Sequence, residues 1–124
     1  MAHLPYCSYP GFGETKREEQ WYNQAVHVGD YIEIASQGGW DPETSKIPID
    51  LNEEIDQAFA KVDYTLKHAG GNGWSPVYKI ILYLTAVGEL SVVAVIRNLK
   101  MWLPDHRPIL TCIAVNQLGL PGCE

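Results

Sequence analysis

Residues Val77 to Val87 form an almost unbroken apolar run, interrupted near its start by Lys79, and Ile109 to Val115 form a second β-rich run. Successive side chains of a strand point to opposite sides of a sheet, so strands that are apolar at both alternating sets of positions need cover on both faces. Two helical segments are available to provide it. Leu51, Ile55, Ala58, Phe59, Val62, Leu66 and Ala69 recur at steps of three and four and predict a helix over Leu51 to Ala69. Asp50 with Glu53 makes a capping-box-like start, and Gly70-Gly71 supplies a left-handed exit. Leu90 to Leu103 returns to helical spacing, with Val92, Val93, Ile96, Leu99 and Trp102 or Leu103 as the expected inner face, and Pro104 stops it.

Upstream, Tyr22 to Val28 and Tyr31 to Ser36 read as a hairpin joined at Gly29-Asp30. Gln37-Gly38-Gly39-Trp40-Asp41-Pro42 is either a loop leaving the sheet or a plain wide turn. The order ββαβαβ predicts an α+β domain, two helices on one face of a four-stranded sheet. The other sheet face then lies open, and a chain of 124 residues has no segment left to build a second layer. A closed homo-oligomer is the expected cover. Residues 1 to 20 carry Pro5, Pro10, Gly11 and Gly13 without a sustained period and are expected to be a loosely held arm, with residues 21 to 124 as one domain.

Composition narrows the partners. The chain is 46% hydrophobic and 19% charged, which fits a folded domain rather than a disordered tail. Nine Lys plus Arg against fifteen Asp plus Glu give a net charge of −6, which argues against nucleic acid, because affinity for a phosphate backbone comes from clustered cations. Cys7, Cys112 and Cys123 include no C-x-x-C pair and no His at metal-ligand spacing, so neither a disulfide framework nor a metal site is expected. No phosphate loop or other cofactor motif is present. Met1 to Gln20 lacks the apolar core of a signal peptide, and no run approaches a membrane span, so a cytoplasmic protein without membrane partners is expected.

The stretch Trp21-Tyr22-Asn23-Gln24-Ala25-Val26, then Val28-Gly29-Asp30, Ala35-Ser36-Gln37 and Asp41-Pro42-Glu43-Thr44, resembles the signature of the Rid family, also called YjgF/RidA or L-PSP endoribonuclease-like proteins. Members typically read Y-S-Q-A-V, V-G-D, S-G-Q and D-P-x-T-G, and the likeness continues through the Asp50 to Gly70 helix and both later strands. The resemblance implies a chorismate-mutase-like fold assembled as a homotrimer with ligand clefts between neighbouring copies. It also implies hydrolysis of reactive 2-imino acids and their enamine tautomers to 2-oxo acids and ammonia. The family's carboxylate-binding Arg lies in a P-A-R-S-like stretch, which here reads Pro108-Ile109-Leu110-Thr111-Cys112, so that position falls on Leu110. Arg107 stands three residues earlier, about 10 Å away along a strand, as the alternative cation. By the same resemblance Tyr22 matches a cleft aromatic, Ala35 and Ser36 replace the family's Ser and Gly, and Gln37 matches its Gln. Cys112 matches a common family Cys, with a small buried residue as the ordinary alternative. Glu124 stands for the carboxylate that positions hydrolytic water, and the family's final strand is short or missing.

Imine hydrolysis needs an anchor for the substrate, a group that orients water and donors for developing charge. Leu110 cannot grip a carboxylate as Arg does, so a neutral imine, enamine, ketone or larger aromatic metabolite is the expected substrate. Tyr22, Tyr31, Trp40, Trp74 and Tyr83 are either cleft-lining or core aromatics. His106 is either an acid or base near neutral pH or a solvated loop residue. His27 and His68 read as a strand-face residue and a helix C-terminal residue. Asp56, Lys61, Asp63 and Lys67 lie off the apolar stripe and read as a solvated helix face. Two functions follow: an enzyme acting on imine, enamine or keto/enol substrates by hydrolysis or proton transfer, or a metabolite-binding protein that has lost catalysis with the Arg.

Overall fold

A computed structural model of the chain describes residues 4–41, 43–85 and 88–119. The element order is β1 (Tyr6–Cys7), α1 (Phe12–Gln20), β2 (Ala25–Val28), β3 (Tyr31–Ile34), α2 (Leu51–His68), β4 (Lys79–Leu84), α3 (Glu89–Trp102) and β5 (Ile109–Ala114). The hairpin, both later strands and both helices stand where the periodicities place them, in a mixed α/β architecture. Val28 pairs with Tyr31 across Gly29-Asp30, and Gly29 takes φ 60 to close this two-residue turn. The Asp50 side chain accepts the Glu53 amide at 3.2 Å to cap α2. At its other end the Gly71 amide reaches the Leu66 carbonyl and the Gly70 amide that of Lys67, with Gly70 at φ 96, so the paired glycines close a Schellman motif.

The strands depart from the expected single sheet. They hydrogen-bond into an antiparallel β1-β2-β3 ladder and a parallel β4-β5 ladder joined through α3. The expected N-terminal arm is also corrected: β1 pairs with β2, and Tyr9 and Phe12 are buried. Their cluster with Trp40 is completed by Ile47. A few aromatic residues at irregular spacing leave no periodic trace, yet they bury as much surface as a longer regular stripe.

α2 and α3 pack on each other over the main core, where Ile55, Phe59, Trp74, Ala94, Val95 and Leu103 are buried and Ile80 and Leu82 of β4 pack against them. Trp74 stacks on Phe59 at 5.2 Å and donates Nε1 to the Phe59 carbonyl at 2.8 Å. Trp74 and Trp40 are therefore core residues and not cleft linings. The inner face expected for α3 holds at Leu99, Trp102 and Leu103, which lie in or against the core, and is corrected at its other positions. Ser91, Ala94, Val95 and Asn98 are buried, whereas Val92, Val93 and Ile96 are exposed. The Asn98 amide donates to Asp56 at 2.8 Å and to the Ala94 carbonyl at 2.9 Å, and small Ala94 lets the helices approach closely at this point. Among the described residues no helix is long and apolar enough to cross a membrane.

Candidate functional site

The residues singled out in the sequence fall on two parts of the fold. Tyr22 precedes β2, while Ala35, Ser36 and Gln37 follow β3. Leu110 and Cys112 lie on β5, opposite Ile80 and Leu82 of β4, and Arg107 stands in the exposed turn before β5. Glu124 lies outside the described residues.

Gln37 is the best-fixed member. Its Oε1 accepts the Tyr9 hydroxyl at 3.0 Å, and its Nε2 donates to Gln24 Oε1 at 2.8 Å and to the Ala35 carbonyl at 3.1 Å. Burial pushes the Tyr9 phenol well above its ordinary pKa, so it stays protonated and donates. Ser36 is exposed beside this network, and Tyr22 is partly exposed. Gln24 stands in the Y-S-Q-A-V-like stretch without being assigned to the site, and Tyr9 stands in no recognisable motif. Their part in the site follows from the pairing of β1 with β2, which brings the Gln24 amide onto the Cys7 carbonyl.

Behind this network lies a buried cation. Lys61 was expected on a solvated helix face, but it is 1% exposed, with its ammonium 3.7 Å from the Trp40 ring centroid and 5.2 Å from those of Tyr9 and Phe12. Burial of a lysine follows here from three aromatic faces gathered out of two chain segments, Tyr9 and Phe12 from one and Trp40 from the other, each attracting the charge through its ring quadrupole. Gly39 allows this closure, since a Cβ there would collide with the Glu54 backbone on α2. Beyond it the Asp41 carboxylate accepts the amides of Thr44 and Glu43, which hold its pKa below the ordinary range and shape the following turn.

The second group is open. Residues on β5 are exposed throughout, on both faces, with Leu110 at 45%. Ile81 and Tyr83 of β4 and Ile113 of β5 share the face turned away from the helices. Tyr31 and Tyr78, 6.1 Å apart, bring the β3 and β4 starts together. His106 meets the Val77 carbonyl through Nε2 at 2.6 Å, which places the proton on that nitrogen and ties the turn before β5 to the chain entering β4. His27 similarly meets the Ala69 carbonyl at 2.6 Å.

Two of the surface grooves among the described residues bear on the site. One of about 540 Å³ lies on the outer side of α3 between Val93, Ile96 and Met101 and contains none of the predicted residues. The other, of about 320 Å³, is lined by Arg17, Glu18, Trp21, Tyr22 and Asn23. Among the described residues no three His, Cys, Asp or Glu side chains gather as metal ligands.

The sequence profile of the endoribonuclease L-PSP family matches residues 15–124. A RutC family protein from Aquifex aeolicus is 35% identical over 66 residues, 53% of this chain, and the match spans about half of that relative's length, 52%. Among solved structures, a RidA from a Psychrobacter species superposes with a TM-score of 0.73 at 24% identity, covering 95% of this chain and 85% of its own. A member of the YjgF/YER057c/UK114 family from Mycobacterium tuberculosis superposes with a TM-score of 0.75 at 19% identity, covering 97% and 91%. At these identities the structures speak to the fold alone.

Proposed function

The chain belongs to the endoribonuclease L-PSP family, the Rid (YjgF/RidA) proteins, and from that premise we propose that it acts on a small imine, enamine or keto/enol metabolite at a cleft formed between copies of itself. The observation that carries the reading is β5. A strand exposed on both faces, carrying Leu110 and Cys112 and bordered by Ile81, Tyr83 and Ile113, is an incomplete structure in a single chain. A neighbouring copy in a homotrimer covers it and brings a second protomer's Tyr22 and Ser36 region towards Leu110 and Cys112.

In such a cleft the reaction is addition of water across C=N followed by loss of ammonia, which leaves the oxo product. Ser36 and Tyr22 present hydroxyls for orienting water or a proton. Gln37, whose amide is engaged at both ends inside the chain, acts as a positioning residue for Ser36. Apolar Leu110 favours a neutral or aromatic substrate over a simple 2-imino acid, with Arg107 as the nearby cation on the same chain. Glu124 is proposed as the group that orients water. The acidic charge of the chain speaks against RNA as substrate.

The test generates imines in situ with an amino-acid oxidase and follows competition with semicarbazide trapping. Acceleration of imine loss is expected with neutral or aromatic imines, and silence across the series with retained metabolite binding would reassign the protein as a binding protein. Leu110→Arg is expected to gain activity on simple 2-imino acids. Light scattering should report a trimer, and a monomeric mass would remove the intersubunit cleft.

A further inference from the structure

We propose that the outer face of α3 is a self-recognition surface, on which two copies of this chain pair antiparallel across a two-fold axis. Glu89, Val93, Ile96 and Lys100 follow one another at steps of four, three and four, the spacing of a coiled-coil seam, so they form one straight stripe along a helix that runs from Glu89 to Trp102. All four are exposed, on the side opposite the buried Ser91, Ala94, Val95 and Asn98. Leu90, 73% exposed, and Met101, 59% exposed, flank the stripe on one side. Apolar residues gathered on a single helix face, around the groove of about 540 Å³ between Val93, Ile96 and Met101, call for a covering surface.

The order of the charges selects the occupant. The stripe reads acid, apolar, apolar, base, with the same spacing from either end. A two-fold axis through its centre sets Glu89 against Lys100 and Val93 against Ile96 between the two copies, each pairing made twice, and brings Leu90 over Met101. A parallel pair would stack like charges at both ends. A partner of uniform charge, such as an acidic peptide, would satisfy Lys100 and oppose Glu89. Among the described residues neither Glu89 nor Lys100 forms an ion pair within its own chain, while Arg97 on the flank is already held by Asp56 at 2.8 Å. One helix face buries less than the roughly 800 Å² that each partner contributes to a standard interface. Pairing is therefore weak for a single chain, is strengthened where several copies of α3 act together, and leaves the face open at the dilute concentrations of an unfolding experiment. The sheet face that carries Ile81, Tyr83 and Ile113 turns away from the helices, so this surface and the proposed cleft do not compete.

The test follows the mass of the full chain by sedimentation velocity from dilute to concentrated solution. The mass should rise from that of the basic unit to at least twice that value. Ile96→Asp should weaken this association about a hundredfold, because two apolar contacts become buried carboxylates, with an unchanged circular dichroism spectrum showing that the variant is folded. Glu89→Lys and Lys100→Glu, each alone, should weaken it about tenfold, because attraction at both ends turns to repulsion. An equal mixture of these two variants should associate as the unaltered chain does, since each then meets the opposite charge at both ends. A single mass at every concentration, association unmoved by Ile96→Asp, or a mixture no better than its separate components would each overturn the proposal. The mass of the basic unit, read from Ile96→Asp, tests the intersubunit cleft separately: a one-chain unit removes the cleft and leaves this inference standing.

Discussion

α2 and α3 pack on the same core, yet their apolar residues relate to it differently. On α2 the apolar stripe is the buried stripe: Ile55 and Phe59 lie in the core, with Leu51 and Val62 against it. On α3 the apolar residues are divided: Val95, Leu99 and Trp102 pack on the core, whereas Val92, Val93 and Ile96 are exposed, Val93 at 58%, and polar Ser91 and Asn98 are buried. α2 has polar residues opposite its stripe, so only one rotation about its axis buries the apolar side. α3 is apolar around most of its circumference, and its rotation is decided by which side lets two helices approach and satisfies their polar groups.

The contrast can be broken most sharply in the core. Phe59→Ala should cost about 3–5 kcal/mol in urea unfolding, the usual range for emptying a buried aromatic site, whereas Val93→Ala on α3 should stay within about 0.5 kcal/mol. A large loss at Val93 would mean that the outer face of α3 is covered in solution. Two lysines on α2 sharpen the point. Lys61→Ala, which removes the stem and the charge held against Trp40, should cost about 2–4 kcal/mol. Lys67→Ala, which removes an ion pair at 2.8 Å between an exposed ammonium and the half-buried Asp63 carboxylate, should cost about 1 kcal/mol or less by the same assay.

A smaller effect concerns the polar joint between the helices. Burial acts to raise the Asp56 pKa, but the Asn98 amide and the Arg97 guanidinium, at 2.8 Å each, outweigh it and leave the carboxyl below its ordinary value of 3.8. The group therefore adds stability above its unfolded value, and that contribution is lost as the pH falls through the lower, folded value. Asp56→Asn should flatten this acid limb of the stability profile, and Asn98→Ala should move it towards higher pH. Trp21→Gly is the one change expected to stabilise: relief of the left-handed backbone, at φ 67, should raise stability by up to about 1 kcal/mol, read as a small upward shift in the urea midpoint.

Much of the fold is legible in the chain because its signals are local. Asp50 and Gly70-Gly71 bracket α2 at the positions where their hydrogen bonds form, and the Gly29-Asp30 turn sets the register of β2 and β3. The site is less legible. Tyr22, Ser36 and Gln37 can be picked out by likeness to a family pattern, but of the partners that hold Gln37, Tyr9 carries no motif and Gln24 lies in the Y-S-Q-A-V-like stretch without any sign that it bonds Gln37. Lys61 looks like any lysine on a polar helix face until Tyr9, Phe12 and Trp40 surround it. The segment before Trp21 looked like an arm because Pro and Gly hide two short elements that only pairing with β2 reveals.

By itself the sequence determined α2 and α3, the hairpin, the two later strands and membership of one protein family, because periodicity, caps and turns act over a few neighbouring residues. The tertiary structure alone decided the rotation of α3, the burial of Lys61, the division of the strands into two ladders and the groove beside Trp21. Each of those depends on groups far apart in the chain competing for the same space, and such a competition is settled by packing and by the satisfaction of buried polar atoms.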